Sequence, residues 1–305
     1  MLNSVMLVIV IVAILLTASV LYFVLRKILP PTNFEERKDF IDLYTKIIGA
    51  TALIVSLLFT WYSTENTLRI TTETLRDAQR KELAERFAKA NEQIGSESIT
   101  ARTGAIYSLG QLSNDSVEYY WPVMQDLTDL IRGRAPYKEG EEVQPRASCP
   151  VDIQAAMNVI GWRKLAFEKG EDQRLELRET DLRKLILKDK EKGDGTTREG
   201  AHLEGAQLVD ANLEEANLRG AHFEGAILQG ANLKNAYLAG AHFSNTTDLA
   251  GATLECADLG QAEGLKLSTI NVARDWHKIK SPPKDTEIRA EWENARPERE
   301  RQVCK

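Results

Sequence analysis

Apolar residues recur every five positions between residues 200 and 262. The pattern reads Ala-x-Leu-x-x, beginning at Ala201-His202-Leu203 and running through nine unbroken units. Its large residues are Leu203, Leu208, Leu213, Leu218, Phe223, Leu228, Leu233, Leu238 and Phe243. The register then slips by one residue and resumes at Leu249, Leu254 and Leu259. A helix repeats every 3.6 residues and a strand every 2, so neither accounts for a strict five. If every fifth residue turns a corner in the same sense, four units close a square coil of twenty residues. Leu or Phe and the small Ala then point inward, and the other three positions face water. Coils stacked at ~4.8 Å make a solenoid in which no unit buries a core alone.

Units such as Ala211-Asn212-Leu213, Ala216-Asn217-Leu218, Ala231-Asn232-Leu233 and Ala257-Asp258-Leu259 resemble the pentapeptide-repeat family, with its motif Ala-(Asp/Asn)-Leu-x-x. The resemblance implies a right-handed quadrilateral β-helix. Rougher units precede it at Leu175-Glu176-Leu177, Thr180-Asp181-Leu182 and Leu185-Ile186-Leu187, followed by a charged insertion at Lys188–Glu199. The solenoid is thus expected over 175–264, with fifteen units in just under four coils. Beyond it, 265–305 is expected to form a cap over Leu267–Ile279 and a mobile charged tail.

Two other apolar runs lie near the N-terminus. Ser4–Leu25 carries no charge and as a helix would reach ~33 Å, enough for a bilayer core of ~30 Å. No Lys or Arg precedes it and no small-x-small site follows, which argues against a cleaved signal. Ile47–Tyr62 ends in the interfacial pair Trp61-Tyr62 and extends back to Leu43 if Lys46 snorkels. Residues 1–62 therefore predict a transmembrane hairpin, with spans at about 4–25 and 43–62. Basic residues flank the second run almost equally on its two sides, so they do not set its orientation.

Residues 63–94 lack Gly and Pro and carry a narrow stripe at Leu68, Leu75, Leu83, Phe87, Ala90 and Ile94, predicting a juxtamembrane helix. Further helices are expected at Ile99–Leu112, at about Trp121–Arg132 and at Val151–Phe167, separated by a Pro- and Gly-bearing loop at Tyr137–Pro150. Over 95–170 these paired short helices resemble HEAT or armadillo units. The run from Glu85 to Gly95, with Ala101-Arg102 and Tyr107-Ser108-Leu109, resembles a region found ahead of pentapeptide repeats in bacterial membrane proteins. The fold class expected for the whole chain is a two-helix transmembrane hairpin, a HEAT-like helical region and a pentapeptide-repeat solenoid.

The net charge of −6 over 305 residues gives no nucleic-acid footprint. Some pentapeptide-repeat proteins protect DNA gyrase by resembling DNA, but here the stack is short and its acidic excess small. Cys149, Cys256 and Cys304 are odd in number and form no motif, which argues against a disulfide framework. No phosphate loop, nucleophile elbow or Cys pair at metal spacing is present. No catalytic residue, cofactor or metal is assigned. The one chemical candidate is a column of His202, His222 and His242, twenty residues apart, with Glu204 and Glu224 on the same face. Histidine and carboxylate together can bind zinc, although neighbours at strand spacing do not form a tetrahedral set.

These features predict a non-enzymatic scaffold in the bacterial inner membrane, with its body in the cytoplasm. Expected partners are membrane lipid, an unidentified protein and a second copy through the transmembrane and juxtamembrane helices, with no nucleic acid. The competing reading is a membrane-perturbing effector of a stress or anti-phage response, with the soluble modules as sensor.

Overall fold

The computed structural model describes residues 11, 14–15, 18–19, 21–23, 34–140, 144–163, 174–187, 190–191, 198–295 and 304. The chain divides into two compact units, Met1–Lys81 and Glu82–Lys305.

Helix α1 spans Phe34–Ile94 and so belongs to both units. In the first unit its threonines turn back on the preceding turn. Thr60, Thr64, Thr67 and Thr71 donate to the carbonyls of Ser56, Thr60, Ser63 and Thr67 at 2.7–2.8 Å. That satisfies hydroxyl groups a helix would otherwise leave competing with its backbone. Leu53, Ile54, Leu57, Phe59 and Trp61 are exposed.

The expected transmembrane hairpin is corrected here. Among the described residues no helix is long and apolar enough to cross a membrane. The first run, 4–25, lies mostly outside the described residues. The apolar stretch of α1, 47–62, is 16 residues long against the ~20 a span needs, bounded by the Lys46–Asp42 ion pair before it and by Ser63-Thr64-Glu65-Asn66 after it. The inner-membrane placement with two spans falls with it.

The second unit begins with the end of α1, whose Phe87 ring lies 5.0 Å from that of Tyr119, and continues into three further helices. Helix α2 is Ile99–Asp115, α3 is Val117–Arg134 and α4 is Val151–Gly161. The Ser98 hydroxyl accepts from the Ala101 amide and caps α2. Ile106, Leu109, Leu127, Ile131, Ile153, Met157 and Ile160 are fully buried among these helices. Gly110 lets α2 and α4 approach, since a Cβ there would stand 2.8 Å from a Val159 methyl. A buried ion pair ties the same helices, with Arg102 Nη2 2.9 Å from Asp152 Oδ2. Among the described residues the HEAT-like expectation reduces to one block in which the end of α1 packs with α2, α3 and α4.

Beyond α4 the backbone winds as a four-sided coil. Each corner closes when an Ala amide donates to the carbonyl of the Leu or Phe three residues earlier, as from Ala206 to Leu203 at 3.2 Å and from Ala211 to Leu208 at 3.1 Å. The fifth residue of each unit supplies the bend. Gly205, Asp210, Glu215, Gly220, Gly225, Gly230, Asn235 and Gly240 have φ between 55° and 70°, as in a type II turn. This left-handed residue is the physical origin of the five-residue period, because the chain must change direction before a sixth residue can extend. Ala201 through Ala241 and Leu203 through Leu238 along the repeat are at most 1% exposed, and Phe223 stacks on Phe243 at 5.4 Å.

The expected β-helix of strands is corrected too. Among the described residues the paired strands are β1, Lys190–Glu191, and β2, Arg198–Glu199, which run antiparallel across the insertion. The coils meet instead in isolated parallel bridges, one residue per side, because corners five residues apart leave no room for a second consecutive pair. Bridge partners are 20 residues apart from His202 to His222, 21 from Ile227 to Asp248, and 31 from Glu176 to Gln207. The longer steps mark the one-residue slip and the insertion.

Both ends of the coil are covered. At the first, Gly161 accepts from the His202 amide at 2.8 Å, Glu179 accepts from Tyr137 and Ala135 accepts from Asp181. At the other, residues after Leu265 fold back, with Arg274, Lys280 and Lys284 donating to Ala252, Ala257 and Ala262. Helix α5, Leu267–Ile270, is a single turn and not the longer capping helix expected there. In place of an extended tail, α6 spans Thr286–Ala295. Asp285 Oδ1 accepts from the Glu287 and Ile288 amides at its start, and Ile288 is wholly buried.

Candidate functional site

The coil presents four walls, each a column of residues from the second position of the repeat. One carries His202, His222, His242 and Glu263. The next carries Glu176, Gln207, Ile227 and Asp248, and the third Asp181, Asn212, Asn232, Thr253 and Arg274. The fourth carries Ile186, Asn217, Tyr237, Asp258 and Ser281. Not all of these positions face water. Asn212 is 2% exposed, and Asn232 Nδ2 donates to its Oδ1 at 3.1 Å, forming an amide ladder.

The structure brings the three histidines together. The rings of His202 and His222 stack with centroids 5.3 Å apart, and those of His222 and His242 at 4.6 Å and 9°. The residues two places on form a parallel column of Glu204, Glu224 and Ser244. His202 Nδ1 lies 2.8 Å from Glu204 Oε1, and His222 Nδ1 lies 3.3 Å from Glu224 Oε1. Such pairing favours the proton on Nδ1 and leaves Nε2 as an acceptor. His222, Glu224 and His242 offer ligand atoms that all lie within 4.8 Å of one another. At the far end of the column Lys284 Nζ is 2.8 Å from Glu263, holding that carboxyl below its ordinary range.

Three features of this region went unread in the sequence. Arg163 is a buried cation that donates to the Tyr120 hydroxyl at 2.9 Å, to the Ile160 carbonyl at 2.6 Å and to the His202 carbonyl. Its Nη2 also lies 4.0 Å from Glu204 Oε2. Burial raises the Tyr120 hydroxyl above its ordinary range, against the pull of Arg163. Nothing in a Trp-Arg-Lys tripeptide marks that role. The second feature is a disulfide between Cys256 and Cys304, which corrects the expectation of unpaired cysteines. Cys256 occupies a corner position with φ of 58°, so its side chain leaves the coil where the tail returns. The third is the fourth wall itself. Ile186 is 55% exposed and Tyr237 41%, with the Arg219 guanidinium 5.4 Å from the Tyr237 ring. Beside Tyr237 lies a cavity of about 240 Å³, bordered by Glu215, Asn235, Cys256, Asp258, Lys280 and Cys304.

Comparison with known proteins follows the coil closely. The family described as pentapeptide repeats matches residues 206–245 and 226–263. Among solved structures, a pentapeptide-repeat protein of the Arabidopsis thaliana thylakoid lumen is 34% identical over 19% of this chain and 40% of its own, with TM-score 0.19. Rfr23 of the cyanobacterium Cyanothece 51142 is 28% identical over 31% and 59%, with TM-score 0.15. A pentapeptide-repeat protein of Nostoc 7120 is 28% identical over 30% and 67%, also with TM-score 0.15. The chain therefore spans about half the length of the first two structures it matches. No curated protein matches it. The five-residue corner, the buried Ala and Leu ladders and the family match lead to one assignment: residues 206–263 are pentapeptide repeats.

Proposed function

We propose that this is a non-enzymatic interaction protein whose working surface is the fourth wall of the coil, around Ile186 and Tyr237. The observation that carries the reading is the contrast between ends and sides. Most of the bridge columns are paired with flanking chain at both coil ends, which blunts the edges that stack solenoids on one another. The side walls stay open, and the fourth exposes an aliphatic and an aromatic side chain together with an Arg. Tyr and Arg on a rigid support are the residue types that dominate protein interfaces. The inward positions are occupied by Ala and Leu packed wall to wall, so the interior offers no space for a substrate. The membrane-perturbing alternative loses its premise, because no described helix meets the requirement of a span.

The test is crosslinking capture with immobilised full-length chain, comparing wild type with Tyr237→Ala and Ile186→Glu. A hot-spot residue is worth ~2 kcal/mol or more, so each variant should retain its partner at least about 30-fold more weakly. The same proteins captured at the same yield by all three chains would end the reading.

A further inference from the structure

We propose that His222, Glu224 and His242 form a binding site for a divalent transition-metal ion of the zinc type on the first wall of the coil. Three observations carry it. The first is geometric: two imidazoles from successive coils and one carboxylate place their ligand atoms within 4.8 Å of one another. Two His and one Glu are a donor set that zinc accepts with water in the fourth position. The backbone bridge between His222 and His242 fixes the two histidines at one rung of separation.

The second observation is the carboxylate. Glu224 Oε2 is buried and accepts no hydrogen bond. The side chain as a whole is 40% exposed and its Oε1 faces His222, so Oε2 is the oxygen left for a cation to pair.

The third is a comparison within the molecule. Glu204 occupies the equivalent position one coil earlier, and its Oε2 likewise accepts no hydrogen bond. It has the buried Arg163 guanidinium 4.0 Å away to balance its charge. Glu224 has no Lys or Arg within ion-pair distance among the described residues. The Ser244 hydroxyl, next in that column, is engaged with the Gly225 amide and Thr246. Glu263, next in the histidine column, is held by Lys284. Of the carboxylates along this wall, the one at Glu224 is left for an external cation.

The stacked rings set a condition on binding. At 9° between planes, the in-plane lone pairs of His222 and His242 run parallel and do not converge. One ring must turn about its Cβ–Cγ bond for both nitrogens to reach a common ion at ~2.0–2.1 Å. His222 is held between the rings of His202 and His242, so the ring placed to turn is that of His242, partly exposed at the end of the stack. His202 stays outside the site, because its Nδ1 and its Glu204 belong to the Arg163 network.

Zinc titration by calorimetry tests this on the chelator-treated, non-reduced full chain, so that Cys256 and Cys304 stay in their disulfide and offer no thiolate. One zinc per chain is expected. The His222→Ala/His242→Ala double variant should lose it, Glu224→Gln should weaken it by about tenfold or more, and His202→Ala should bind as wild type does. Cobalt added to wild-type protein supplies a readout that needs no variant. A visible absorption of tetrahedral intensity is expected, and zinc should displace it. The proposal is overturned by absence of zinc binding in wild type, by unchanged affinity in the double variant, or by an equal loss in His202→Ala.

Discussion

At the scale of single residues, the coil depends on side chains whose surroundings differ from what their type suggests. Cys149 is the clearest case. It is 5% exposed, and burial pushes its thiol from 9.0 up to about 12. The unfolded chain releases that proton near 9 while the folded chain keeps it, so above pH 9 the unfolded state binds fewer protons. Stability then falls as pH rises, by about 1.4 kcal/mol per unit until the folded value is reached. Denaturant melts at pH 8, 9.5 and 10.5 should show that slope, and Cys149→Ala should flatten it; equal slopes in both chains would refute the assignment. The αL corner was legible in principle, since Gly recurs in the fifth place at 205, 220, 225, 230 and 240. Cys256 was not, because it stands in the same corner slot and its partner lies 48 residues away, a separation that carries no geometry.

At the scale of elements, a buried ion pair ties α2 to α4. The Arg102 and Asp152 side chains are 5% and 8% exposed, and the guanidinium also donates to the Ser96 and Glu97 carbonyls at 2.6 and 2.8 Å. Removing one member of a buried pair costs ~3–5 kcal/mol, and loss of Arg102 leaves Asp152 with only the half-exposed Arg134, 4.0 Å away. Arg102→Met should therefore destabilise the protein by that amount. Arg102→Met/Asp152→Leu should recover part of it, because two apolar partners leave no orphaned charge. Paired chemical unfolding curves for the three chains measure the difference, and a double variant as unstable as the single one would count against the pair. The periodicity of Ile106, Leu109 and Leu112 was readable from sequence, whereas the pairing of Arg102 with Asp152, 50 residues on, was not. Helix α6 was hidden for the opposite reason. Its charges read as tail, although Asp285 as its cap and Ile288 as its anchor were both in plain view.

At the scale of the whole molecule, the misread feature was the N-terminal region. Its second apolar run is one part of α1, a 61-residue helix that continues into a long polar stretch. The solenoid was legible because its period is enforced at every corner, and the repeats alone reveal it. Closure of the second unit depends on contacts far apart in sequence. The Cys256–Cys304 disulfide fastens the chain's end to a coil corner, and a loop of that size is worth ~4 kcal/mol in the chain-entropy account. Reduction should lower the melting temperature, with amides of 265–295 gaining hydrogen exchange before those of 201–243. Uniform loss of protection across the coil would show that the end covering contributes nothing separate.

The unequal bridge steps carry a last implication. A rung tolerates one extra residue after Phe243 and eleven after Leu187 without moving the buried Ala and Leu ladders on either side. The longer excursion leaves and re-enters through β1 and β2, whose ends lie side by side. The corner between Leu187 and Gly200 is thus a natural grafting point. A foreign peptide inserted there would be displayed at a fixed address on a rigid post, and whole twenty-residue rungs could be added elsewhere to set its height in steps of ~4.8 Å.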